Sequence, residues 1–121
     1  GRLSSQLGTL TALTLLDFAR NNMSGQIPSE IGLLTHLTWL QAMSQSLTGT
    51  LPTEFGLLTQ LGVFNVGFNS ISGQIFTEVG KMEDIFLFAV EGNLLTGRVP
   101  SEIAVPNSLG HIYLGENELT G

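Results

Sequence analysis

The chain repeats itself every 24 residues without insertion or deletion, and that period limits what it can fold into more than any other feature. Stepping from Leu13 gives Leu37, Leu61, Ile85 and Leu109; stepping from Leu16 gives Leu40, Phe64, Phe88 and Ile112. Two residues on, the row is Phe18, Ala42, Val66, Val90 and Leu114, and a further apolar row is Met23, Leu47, Ile71, Leu95 and Leu119. A unit this short cannot bury its own apolar side chains. Neighbouring units must therefore stack so that the rows merge into one continuous core.

Between the last two rows runs a polar one, Asn21, Gln45, Asn69, Asn93 and Asn117. Each unit therefore reads L-x-x-L-x-L-x-x-N-x-L with ordinary apolar exchanges. Around Leu16-Asp17-Phe18 side chains alternate inward and outward, as in a short strand, and strands of successive units can pair side by side at about 4.8 Å. The chain after such a strand must turn and carry backbone groups inward. An amide side chain holds acceptor and donors together, so the Asn row is expected to satisfy those groups as a stacked ladder. Gln45 offers the same amide on one more methylene and fits only if the turn gives way, at a cost of about 1 kcal/mol.

The second half of the unit is as regular. Gly25, Gly49, Gly73, Gly97 and Gly121 are followed two residues on by Ile27, Leu51, Ile75 and Val99, then by Pro28, Pro52 and Pro100. Next come Glu30, Glu54, Glu78 and Glu102, then Ile31, Phe55, Val79 and Ile103, then Gly32, Gly56, Gly80 and Ala104. Pro with Glu two residues later suits the first turn of a short helix. Glu near such a start is favoured by the helix dipole and reads as a solvated row on the back of the arc, not as a cation ladder.

With the rows in place, the chain resembles the plant-type leucine-rich repeats of receptor-kinase ectodomains, receptor-like proteins, polygalacturonase inhibitors and algal or protist proteins. The resemblance covers the whole chain. It implies an α/β solenoid, a right-handed superhelix with a parallel sheet on the concave face, and short second strands with 3-10 or α turns on the convex side. The second strand is implied at the [ST]-G-x-[IVL] stretch. Gln45, Phe76 at a proline position and Ala104-Val105-Pro106 depart from the pattern. Residues 1–121 read as a single array of about five units, a segment of a longer chain, since Gly1 has the phase of Gly25 and Gly121 and no capping unit is present. An uncapped solenoid exposes its core at both ends, so this piece alone is expected to aggregate.

Composition removes several function classes. Ten acidic residues against four basic ones give a net charge of −6, and Arg2, Arg20, Lys81 and Arg98 are scattered, so phosphate neutralisation and nucleic-acid binding are not expected. Apolar runs fall far short of the roughly 20 residues of a membrane span. Cysteine is absent, which excludes disulfides and thiol chemistry. His36 and His111 fall in different rows, and no nucleophile-base spacing or phosphate loop can be picked out. Neither enzymatic activity nor a cofactor or metal is expected.

Function must then lie in the outward strand positions that the repeat leaves free to vary. These columns read Thr14, Thr38, Gly62, Phe86, Gly110; Leu15, Trp39, Val63, Leu87, His111; Asp17, Gln41, Asn65, Ala89, Tyr113; Ala19, Met43, Gly67, Glu91, Gly115; and Arg20, Ser44, Phe68, Gly92, Glu116. The face is more apolar than exposed sheet usually is, and aromatic and Met side chains are those that anchor interfaces. Leu15, Asp17, Trp39, Gln41, Met43, Phe68, Leu87, Glu91 and Tyr113 are the expected contacts for a protein or peptide partner. Phe86 stands on the same face, with a competing expectation strongest at this residue, that of packing between units or under a neighbouring chain.

The leading function is recognition of a protein or peptide on the concave face. The alternatives are a permanent scaffold subunit of a larger assembly, to which an apolar face is suited, and inhibition of a cell-wall hydrolase. Asn22-Met23-Ser24 is a glycosylation sequon expected on the flank. With the resemblance, it places the protein outside the cell or on a membrane-anchored ectodomain, the alternative being an organelle lumen.

Overall fold

The computed structural model describes residues 1–18 and 21–121; Ala19 and Arg20, members of two outward columns, lie outside the described residues. The predicted period-2 segments are strands β1 (Leu15–Asp17), β3 (Trp39–Gln41), β5 (Val63–Asn65), β7 (Leu87–Ala89) and β9 (His111–Tyr113). They form one five-stranded parallel sheet in chain order. Partners lie one period apart, Leu15 against Trp39, Trp39 against Val63, Val63 against Leu87 and Leu87 against His111. The expected solenoid is what the chain forms.

The implied second strands are present as β2 (Ser24–Gln26), β4 (Ser46–Thr48), β6 (Ser72–Gly73) and β8 (Leu94–Leu95), paired β2 with β4 and β6 with β8. Isolated bridges continue the pattern between Arg2 and Ser24, Thr50 and Ser72, and Arg98 and Thr120. Here the register differs from that of the main sheet: Ser24 faces Ser46, not its repeat equivalent Thr48. This two-residue slip carries the Gln26 side chain across Gly49, where a Cβ would lie 2.6 Å from Gln26 Cγ.

Behind the flank each unit turns through one short 3-10 segment, Ser5–Thr9, Ser29–Leu33, Thr53–Leu57, Thr77–Lys81 and Ser101–Ala104. Pro28, Pro52 and Pro100 stand at the N-cap, one residue before the turn, in extended conformation. Phe76 adopts the same geometry, φ −70°, ψ 136°, without a proline ring to impose it. What it supplies is packing. Phe76 is buried, its ring 5.8 Å from Phe55, 6.1 Å from Phe64 and 6.2 Å from Phe88. Phe64 stacks on Phe88 at 5.0 Å and meets Phe55 edge-on at 4.7 Å, so four rings fill the centre of the solenoid.

The last turn closes differently for a covalent reason. Leu34, Leu58 and Met82 each donate their N–H to the carbonyl three residues back, at 3.0 to 3.1 Å. Pro106, at the equivalent place, has no N–H to give. Val105 closes the turn instead, bonding Glu102 O at 3.0 Å, and its side chain is exposed.

Asn69, Asn93 and Asn117 form an amide ladder across successive units. Asn93 is 5% exposed; its Nδ2 donates to Val66 O (3.0 Å), Val90 O (3.0 Å) and Glu91 O (3.3 Å), and its Oδ1 accepts from Ile71 N (3.0 Å). Asn69 and Asn117 repeat the pattern one unit either way. Gln45 keeps the acceptor arm, taking Met23 N at 3.0 Å, but among the described residues its Nε2 reaches only Met43 O, at 3.1 Å. The extra methylene carries the amide past the two other carbonyls. Asn21, first in the row, is exposed.

Asn93→Ala should lower stability by roughly 3 kcal/mol, because four backbone groups each lose a hydrogen bond to its amide, whereas Gln45→Asn should raise it by about 1 kcal/mol. Chemical denaturation of both variants reads these directly; a destabilising Gln45→Asn would show that the ladder does not operate as described.

Candidate functional site

In-register pairing stands the outward columns across the main sheet, one side chain per strand at about 4.8 Å. Of the residues expected to meet a partner, Leu15, Asp17, Trp39, Met43, Phe68 and Tyr113 are exposed, while Gln41, Leu87 and Glu91 are half-buried. Trp39 and Phe68, both large apolar groups, are each 41% exposed. The strands therefore bring most of the expected contacts onto one surface.

Two polar members of that surface also hold the backbone. Gln41 Oε1 accepts the Met43 N–H at 3.3 Å and Asn65 Oδ1 accepts that of Gly67 at 3.1 Å. They satisfy the strand ends two residues on, and Asn65 Nδ2 lies 3.6 Å from Met43 Sδ.

Past the strands the backbone enters the left-handed region at Ser44 (φ 59°), Phe68 (φ 56°), Gly92 (φ 68°) and Glu116 (φ 55°). The conformation turns the Phe68 ring across the following unit, where a Cβ on Gly92 would sit 2.4 Å from Phe68 Cδ1. Gly92 thus serves twice, allowing the positive φ and clearing space for the ring.

Phe86 differs from the expectation of packing between units. It is 50% exposed, half on the face, over Gly110. Its ring meets His111 edge-on at 5.1 Å, and His111 stacks with Tyr113 at 6.4 Å. Three aromatic rings therefore line one end of the sheet. Gly110 opposite Phe86 adds to what its column states, since a missing side chain beside a large one leaves that ring less cover.

The convex side corrects the reading of the Glu row. All four are half-buried, and Glu30 and Glu78 each have one carboxylate oxygen buried without a hydrogen-bond partner among the described residues. The cause is the glycine row. A Cβ on Gly56 would lie 2.5 Å from Glu78 Cβ and 2.9 Å from Glu78 O, and Gly8, Gly32 and Gly80 stand similarly against Glu30, Glu54 and Glu102. Units approach backbone to side chain here, so the Glu stems are packing elements. The exposed convex apolar residues Leu33, Leu57 and Val105 are interrupted by Lys81, unlike the denser main face. His36, also outside the sheet, lies with Nδ1 3.2 Å from Thr11 O. Asn22 is exposed, as the sequon requires.

Comparison with known proteins agrees with this geometry. A family model described as Leucine Rich Repeat matches residues 12–34. Among solved structures, the chain is similar over its full length to a plant ice-binding protein, at 35% identity and TM-score 0.92, spanning 39% of that chain. It is similar, again over 100% of its length, to the Arabidopsis receptor kinase HAESA solved with the peptide hormone IDA and the co-receptor SERK1, at 30% identity and TM-score 0.95, spanning 20% of that chain. Over 98% of its length it matches the ectodomain of the Arabidopsis thaliana receptor kinase GASSHO1/SCHENGEN3 in complex with CASPARIAN STRIP INTEGRITY FACTOR 2, at 29% identity and TM-score 0.95, spanning 14% of that chain. The chain thus spans well under half the length of each. No curated protein sequence matches it. The repeat consensus, the solenoid and these likenesses are those of plant-type leucine-rich-repeat proteins.

The two glycines on the face separate backbone need from empty space. Gly92→Ala should cost about 1–2 kcal/mol for its positive φ and displace the Phe68 ring. A Cβ at Gly115 meets nothing within 4 Å, so Gly115→Ala should stay within about 0.5 kcal/mol of the parent. Denaturation midpoints of the two variants check the contrast; equal loss in both would contradict the ring placement.

Proposed function

We propose that the protein is an extracellular recognition module that binds a protein or peptide across the main sheet face. The observation that carries the reading is the set of large apolar side chains left uncovered there, Trp39, Met43, Phe68, Phe86 and Tyr113, in columns fixed by the strand register. Burying an aromatic group of this size on binding contributes on the order of 2 kcal/mol, and such residues recur at the energetic centres of interfaces. The peptide and co-receptor complexes of the similar Arabidopsis receptor kinases support it. No helix among the described residues is long and apolar enough to cross a membrane.

Partner capture followed by mass spectrometry identifies the ligand, and the double variant Trp39→Ala with Tyr113→Ala then tests the face. Affinity should fall by about a hundredfold or more; unchanged affinity would overturn the reading. In a secretory host the protein should also lose mass on glycosidase treatment, and Ser24→Ala should abolish that shift.

Ice binding is a second reading, favoured by the flank. Ser46, Thr48, Thr50, Ser70 and Thr96 are exposed hydroxyl residues set out by the regular pairing of the short strands. Its likeness to the plant ice-binding protein supports this. Thermal hysteresis that Thr48→Lys removes would favour it over the sheet-face reading, and no hysteresis would end it.

A further inference from the structure

The three methionines of the chain stand in three different environments. Met82 is fully buried in the core, and Met23 is half-buried against it. Met43 is on the main sheet face and 37% exposed. Gly67, one period on in the same column, contributes no side chain to cover it. A thioether that solvent reaches is open to hydroperoxides, whereas one sealed in a core is protected.

The Met43 sulfur also has a polar neighbour. Asn65 Oδ1 accepts the Gly67 N–H at 3.1 Å, which sets the plane of the amide and turns its Nδ2 toward Met43 Sδ, 3.6 Å away. A thioether is only a weak acceptor, so this N–H is poorly used. An oxygen added to the same sulfur makes the side chain polar and gives the amide a far better acceptor. The site as built therefore suits the sulfoxide more than the thioether.

We propose that Met43 is a redox modification site on the sheet face. A hydroperoxide oxidises it ahead of Met23 and Met82, Asn65 Nδ2 holds the oxygen gained, and the face loses an apolar anchor. In that step a lone pair of Sδ attacks one peroxide oxygen, and the S–O bond forms as the O–O bond breaks. The departing oxygen takes the proton of the attacked one and leaves as water or an alcohol, so sulfur gives up an electron pair and the peroxide is reduced. The modification stands on the exposure of Met43 and its contact with Asn65; its effect on a partner rests on the sheet-face reading above.

When the intact protein is treated with dilute hydrogen peroxide and followed by peptide mass spectrometry, Met43 should gain one oxygen while Met23 and Met82 remain thioethers. In heteronuclear NMR spectra a side-chain amide proton of Asn65 should move downfield in step, and a methionine sulfoxide reductase should reverse both changes. The oxidised protein should bind a partner of the sheet face about tenfold more weakly or worse. Met43→Leu should bind that partner as the parent does, before and after peroxide. Oxidation of Met23 or Met82 first, or an Asn65 resonance that stays in place, would overturn the site. Sulfoxide at Met43 with affinity unchanged, while Trp39→Ala with Tyr113→Ala still destroys binding, would overturn the loss of the anchor and spare the sheet-face reading. Affinity indifferent to all of these would overturn both. Loss of affinity under peroxide in Met43→Leu would place the effect at another residue and also overturn it.

Discussion

The structure depends on the side-chain amide that each unit lends to the one before it. An Asn at this place donates to carbonyls of two successive units and accepts an N–H of the earlier one, so the strand-ending turn of one unit is satisfied by its neighbour. Those backbone groups point into an apolar core, where an unmatched partner costs far more than a matched one contributes. The Asn row makes the repeat length rigid. An inserted residue would take the amide out of reach, as the single extra methylene of Gln45 already does in part.

From that rigidity follows the availability of the outer face. Inward rows and ladder fix the backbone, and on the outward columns Thr38, Gln41 and Asn65 are among the described side chains that also bond it. Large apolar groups can then stand uncovered without disturbing the fold. The same constraint explains the two ways glycine is used: on the convex side Gly56 admits the stem of Glu78, and on the sheet Gly92 admits the ring of Phe68.

The sequence rows disclosed the solenoid, the main-sheet register and the amide ladder because each depends on a single 24-residue period. Phe76 was legible as a departure, yet its place among Phe55, Phe64 and Phe88 depends on which unit its ring enters, which spacing does not state. The slipped register of the flank strands and the partial burial of the Glu row were hidden likewise, both being set by how closely adjacent backbones approach. On the face, column membership named most of the exposed residues. It named Phe86 too, but not the edge-on contact of its ring with His111, which depends on the space that Gly110 leaves beside it.

Hydroxyl-radical footprinting of the protein with its captured partner addresses the assignment of the binding face most directly. Oxidation of Trp39, Met43, Phe68, Phe86 and Tyr113 should fall on complex formation, while Leu33 and Leu57 on the convex side keep their free-state reactivity. Protection of Leu33 and Leu57 with the sheet-face aromatics unchanged would contradict it.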